Sequence, residues 1–199
     1  MFNDIHFVPD VFLVLRTGLT YKTPIKNLNT TLGYGYLNLY PSRFDYHTLR
    51  PEHRVWGQTT YNHSANERIR FSHRARYEAR FRHKMKDDEK IEGYNFNWRW
   101  RYMVQIRYNF PKKDTQKGLF YAWLAGEILV NSGKEIKNNF RTDQYRLLLG
   151  AGYQINSLSF QLMYINRTVL SASADIYTMN HTLGLWVFHQ IQFGKELKN

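Results

Sequence analysis

The sequence predicts an all-β fold, a transmembrane up-and-down antiparallel β-barrel. Three observations predict it: two-residue alternation of aromatic and polar side chains, segments long enough to cross a bilayer as tilted strands, and connections that alternate between short and long.

The alternation is clearest from Tyr94 to Phe110, where Tyr94, Phe96, Trp98, Trp100, Tyr102, Val104, Ile106, Tyr108 and Phe110 share one face. Asn95, Asn97, Arg99, Arg101, Met103, Gln105, Arg107 and Asn109 share the other. Successive side chains of a strand point to opposite sides, so the segment has one aromatic and one polar wall. Residues 68–84 repeat the pattern: Ile69, Phe71, Ala75, Tyr77, Ala79 and Phe81 oppose Arg68, Arg70, Arg74, Arg76, Glu78, Arg80, Arg82 and Lys84. The same period places about nine strands near 11–22, 30–40, 53–63, 67–84, 94–110, 119–131, 140–154, 157–168 and 181–193. Several reach or pass the ~9–11 residues a tilted strand needs to span a bilayer.

Short connections are expected near Thr23–Asn27, Ser64–Asn66, Pro111–Gly118 and Ile155–Asn156. Longer polar ones are expected near Pro41–Pro51, Lys86–Gly93, Ser132–Asn138 and Val169–Asn180. Short periplasmic turns and longer external loops are the outer-membrane pattern. On that pattern the last strand descends and the first begins outside. Bacterial single-chain barrels have even strand numbers, and Met1–His6 has no basic segment followed by an apolar core. The expectation is one barrel domain over 1–199, lacking its signal peptide and its first strand or strands, of 10 or 12 in all.

Composition agrees. The 199 residues suffice for one domain, and 17% are aromatic although mean hydropathy is negative. The longest apolar run, Leu119 to Gly126, falls far short of the roughly 20 residues of a membrane helix. Cys 0 excludes disulfides, a thiol nucleophile and a thiolate metal site. The net charge of +12 points to nucleic acid, an anionic membrane surface or anionic solutes, or else to a merely solvated surface.

Particular residues resemble a known family. Glu52-His53-Arg54-Val55-Trp56-Gly57-Gln58 and His73-Arg74-Ala75-Arg76-Tyr77-Glu78-Ala79-Arg80-Phe81 are similar to the uncharacterised outer-membrane barrel family catalogued as domain of unknown function 2490. Gly33-Tyr34-Gly35-Tyr36, the segment with Glu127 and Asn131, and Tyr145-Arg146 before Gly150-Ala151-Gly152-Tyr153 follow in the same order. The resemblance covers nearly the whole chain. It implies fold and location, further strands and a signal peptide before this starting point, and no established catalytic residue.

With the aromatic face toward lipid, the wall comprises Phe71, Tyr77, Phe81, Phe96, Trp98, Trp100, Tyr102, Val104, Ile106 and Tyr108. The lumen then receives Arg54, Arg68, Arg70, Arg74, Arg76, Arg80, Arg82, Arg99, Arg101, Arg107 and Arg146, with Arg16, Lys84 and Arg167. The acids expected there are Glu78 and Glu127, with Glu52 near a strand end. Like charges ~5–7 Å apart repel by roughly 2–3 kcal/mol at an effective dielectric of 20. The excess calls for hydration and mobile anions, a bound anionic ligand, or acids on further strands. Arginine–carboxylate bracing and an anion-attracting lumen are both open readings.

Glu78 and Glu127 could suggest acid–base work, but their guanidinium surroundings suit ion pairs better. His53, His63, His73 and His83 show no metal-ligand spacing and are read as interfacial or structural. His73 is an outward candidate for a hydrolase, without a matching serine. Nucleic-acid platforms combine aromatics with basic groups, whereas here they take opposite faces. The sequence therefore predicts an integral outer-membrane barrel with a structural, passive-transport or scaffold role. It is expected to be no enzyme and to hold no cofactor or metal. Outer-membrane lipid and lipopolysaccharide are its expected partners, small anions further ones, and nucleic acid is not expected. The alternatives are a soluble basic β-barrel binding nucleic acid or polyanions, and a lipid-modifying outer-membrane enzyme.

Overall fold

The structure, a computed structural model, describes residues 11–41, 46–112, 117–136, 140–170 and 177–189. The expected alternation becomes nine strands: β1 (Val11–Lys22), β2 (Leu28–Leu39), β3 (Arg50–Ser64), β4 (Ile69–Lys86), β5 (Glu89–Asn109), β6 (Leu119–Ser132), β7 (Phe140–Ile155), β8 (Leu158–Leu170) and β9 (Tyr177–His189). They form one sheet in sequence order, each antiparallel to the next. Such up-and-down order needs nothing more than a turn between consecutive strands. No helix among the described residues is long and apolar enough to cross a membrane, which leaves crossing by strands untouched. The part of the last expected strand beyond His189 lies outside the described residues.

The alternation of short and long connections is not what the structure shows. Lys86–Gly93, expected as a long loop, is a two-residue turn at Asp87–Asp88 with strand on both sides. Both aspartates adopt positive φ, 46° and 64°. A tight hairpin of primed type requires that conformation at both central residues, and Asp tolerates it. The charges of Glu89, Lys90 and Glu92 read as loop, yet these residues belong to β5, which reaches the hairpin tip. Asn156, at φ 49°, makes the short turn expected between β7 and β8.

By internal contacts the chain divides into two compact units. The first holds the described residues of Met1–Thr60, Arg74–Tyr102 and Leu129–Asp143; the second those of Tyr61–His73, Met103–Ile128 and Gln144–Asn199. The buried set of the first unit is mostly polar: Glu52, Arg54, Arg76, Glu78, Arg80, Asn97, Arg99 and Asn131 are buried with Leu37, Trp56, Ala79 and Leu129. Trp56 lies flat over Gly18 and Gly33, where a Cβ on Gly33 would run into the indole and the Thr17 carbonyl. The β1–β2 register places these two glycines opposite each other. Glycine is needed there for space rather than for φ. The second unit buries Tyr121, Ala125, Glu127, Asn109, Met103 and Met163. Gly152 plays the same part under Tyr121.

Candidate functional site: an arginine-lined sheet face

In the first unit, period-two geometry puts Glu52, Arg54 and Trp56 of β3, Arg76, Glu78, Arg80 and Arg82 of β4, and Asn97, Arg99 and Arg101 of β5 on one face. Glu52, fully buried, is a hub. Its Oε1 accepts from Arg80 Nε at 2.7 Å and its Oε2 from Arg80 Nη2 at 2.9 Å, a fork-to-fork pair, and Arg54 Nε adds a third donor. Glu78 accepts from Arg101 Nη1 at 3.0 Å, with Arg54 Nη1 at 3.6 Å and Arg76 Nη1 at 3.7 Å.

Amides carry the rest. Arg76 donates through Nε and Nη2 to Gln58 Oε1 at 2.8 and 2.5 Å. Arg82 Nη2 donates to Asn97 Oδ1 at 3.0 Å, and Asn97 Nδ2 to Asn131 Oδ1 at 3.3 Å. Arg99 donates from Nε to Asn131 Oδ1 at 2.9 Å and from Nη2 to Asp143 Oδ2 at 2.6 Å. The guanidinium groups of Arg76 and Arg16 lie 4.8 and 5.7 Å from the Trp56 ring centre, a cation–π arrangement.

The second unit has a smaller set. Arg107 lies 3.6 Å over the Tyr121 ring and donates to Asn109 Oδ1 at 2.8 Å and Gln154 Oε1 at 3.2 Å. Arg146 is held by Gln144 at 2.8 Å and Glu127 at 3.4 Å, and stands opposite Arg167 in the β7–β8 register.

The structure thus brings together Arg54, Arg76, Glu78, Arg80, Arg82, Arg99 and Arg101 in one unit, and Arg107, Glu127 and Arg146 in the other. Arg74 is half-buried, within electrostatic reach of Arg76. Arg68 and Arg70 stand exposed and donate no side-chain hydrogen bond in these networks. Glu52 lies near the start of β3, as expected, and is also central to the network. Asp143 was not foreseen: it shares parity with the exposed Tyr145 and Leu147, so alternation assigns it to the outer face. Gln58 and Asn131 carry the family resemblance without a role, and Gln144 gave no signal, because an amide's role depends on which neighbour the register supplies.

On the opposite face, Tyr77, Phe81, Trp98, Trp100 and Tyr102 of the first unit are exposed and Phe96 half-buried. Tyr77 and Trp100 (6.2 Å), Phe81 and Phe96 (4.9 Å), and Trp98 and Trp100 (6.5 Å) form a ring-to-ring wall. In the second unit Ile106 and Tyr108 are exposed, and Phe71 and Val104 half-buried. The histidines are less scattered than their spacing suggests. Antiparallel pairing stacks His63 on His73 at 5.4 Å, and His53 and His83 both pack on Tyr94 at 5.8 and 5.0 Å. No group of three or more metal-ligating side chains occurs among the described residues.

A family model described as protein of unknown function (DUF2490) matches residues 10–178. The chain belongs to this family. No curated protein and no solved structure matches it. The DUF2490 match runs from the start of β1 into the beginning of β9, so both networks fall inside it.

Proposed function

We propose that this DUF2490 protein is an integral outer-membrane β-barrel whose arginine-lined face encloses an aqueous interior that attracts small anions, serving as a passive pore or scaffold. One observation carries the reading: an aromatic wall left exposed along strands of 18 and 21 residues, with Trp98 at 39%, Trp100 at 48% and Tyr102 at 47% accessibility. Soluble monomers rarely expose contiguous apolar patches beyond a few hundred Å². Hydrocarbon is the solvent in which such a wall is stable, and strands of this length cross it with residues to spare. Lipid and lipopolysaccharide are then its outer partners. The buried, hydrogen-bonded arginines support an internal role rather than nucleic-acid binding, for which basic groups face outward. The carboxylates are engaged by guanidinium forks, which supports bracing rather than catalysis.

The test is reconstitution. The purified protein is expected to need detergent or lipid to stay dispersed, and the full-length protein to conduct anions in preference to cations across planar bilayers. A monodisperse, folded protein in plain buffer would remove the membrane reading. Cation preference or electrical silence in a properly inserted protein would remove the pore and leave the scaffold.

A further inference from the structure

We infer that the Arg80–Arg82 pair of β4 is a binding site for a tetrahedral oxyanion, phosphate or sulfate, free or carried as a headgroup. This rests on local geometry in the first unit and not on the membrane reading. Arg80 is only 4% exposed, and its fork on Glu52 fixes the side chain. That fork uses Nε and Nη2, and the remaining Nη1 is buried without an acceptor. Arg82 is anchored by Nη2 on Asn97, and its Nε is likewise buried without an acceptor. Two residues apart on a strand, the two side chains stand on one face about 7 Å apart at their roots. Each of the two guanidinium groups therefore keeps one buried N–H donor over.

Buried guanidinium donors are costly unless something accepts from them. Water would accept the hydrogen bonds and leave the charge. Among the described residues of this face, Arg54, Arg76, Arg80, Arg82, Arg99 and Arg101 outnumber the acids they meet, Glu52, Glu78 and Asp143. Glu52, Arg50 and Asp143 also act electrostatically on Arg82. A doubly charged oxyanion answers both demands, with separate oxygens for separate donors, and Arg is the side chain whose planar fork matches it.

The experiment is isothermal titration of inorganic phosphate into the purified full-length protein, against sodium chloride of equal ionic strength. One phosphate per chain is expected, with at least tenfold weaker binding in Arg82→Gln and partial recovery in Arg82→Lys. Phosphorus NMR line broadening on the same samples covers a variant whose heats are small. Binding no different from chloride, or unchanged in both variants while their circular dichroism stays native, would overturn the site. Dihexanoyl phosphatidic acid is titrated in parallel. Displacement of phosphate at lower concentration assigns the site to a headgroup, and equal or weaker potency assigns it to the free anion.

Discussion

At the residue scale, the network rests on two carboxylates that differ in how readable they were. Glu78 sits inside a run of alternating arginines, so period two alone put it inward. Glu52 lies beside Pro51 and close to a polar stretch, so it read as a strand end, and tertiary pairing made it the hub. Glu52→Gln removes the charge facing Arg54 and Arg80, and breaking such a buried pair costs about 3–5 kcal/mol. A matching fall in unfolding free energy in urea is expected, with Glu67→Gln, an exposed acid, near zero. Outside the strands, Asp88 accepts hydrogen bonds from the backbone amides of His47 and Thr48 at 2.8 and 2.9 Å. These bonds, His47's first, hold its carboxyl below the ordinary range. With a folded value below the unfolded one, the tether is present above the ordinary aspartate value and lost as pH falls through the depressed one. Protection of the His47 and Thr48 amides, relative to their intrinsic exchange rates at each pH, should therefore fall in acid, and Asp88→Asn should show the low protection at neutral pH. An Asp88→Asn profile identical to the parent would mean the tether does not order the loop.

At the element scale, strand identity and facing were legible because one physical rule, alternation, acts along most of residues 69–84 and 94–109. Turn length was not legible by the same means. Asp87–Asp88 could have been recognised from the tolerance of aspartate for positive φ, but the charged residues that follow masked strand as loop. The aromatic wall of β5 makes a prediction that separates a lipid-facing surface from a wet one. Trp100→Arg near the middle of β5 should cost about 2–4 kcal/mol when folding is measured into vesicles. An exposed substitution in water usually stays within about 0.5 kcal/mol. Gly33→Ala tests the β1–β2 hairpin: its Cβ meets the Trp56 ring and a backbone oxygen, neither of which can swing aside. A loss of about 1–3 kcal/mol is expected, while Gly126→Ala, with open space around its Cβ, should be tolerated.

At the scale of the whole molecule, the +12 charge is the property most easily misread. Taken as a total it suggests a surface for nucleic acid. Resolved by position, much of it belongs to arginines buried among carboxylates and amides, and it was the sign of the pattern rather than the size of the charge that located them. What composition could not provide was Asp143, whose pairing with Arg99 depends on how β7 meets its neighbours.

The packing of Trp56 has a practical use. Its indole is 6% accessible and bracketed by two guanidinium groups, whereas Trp98 and Trp100 stand open on the other side of the sheet. The protein therefore carries fluorophores that report two different environments. In a Trp123→Phe/Trp186→Phe background, which leaves these three of the five tryptophans, brominated acyl chains should quench the emission of Trp98 and Trp100 and spare that of Trp56. Dim emission in that background that a further Trp98→Phe/Trp100→Phe renders insensitive to bromine would read out, by light alone, which side of the sheet touches the bilayer.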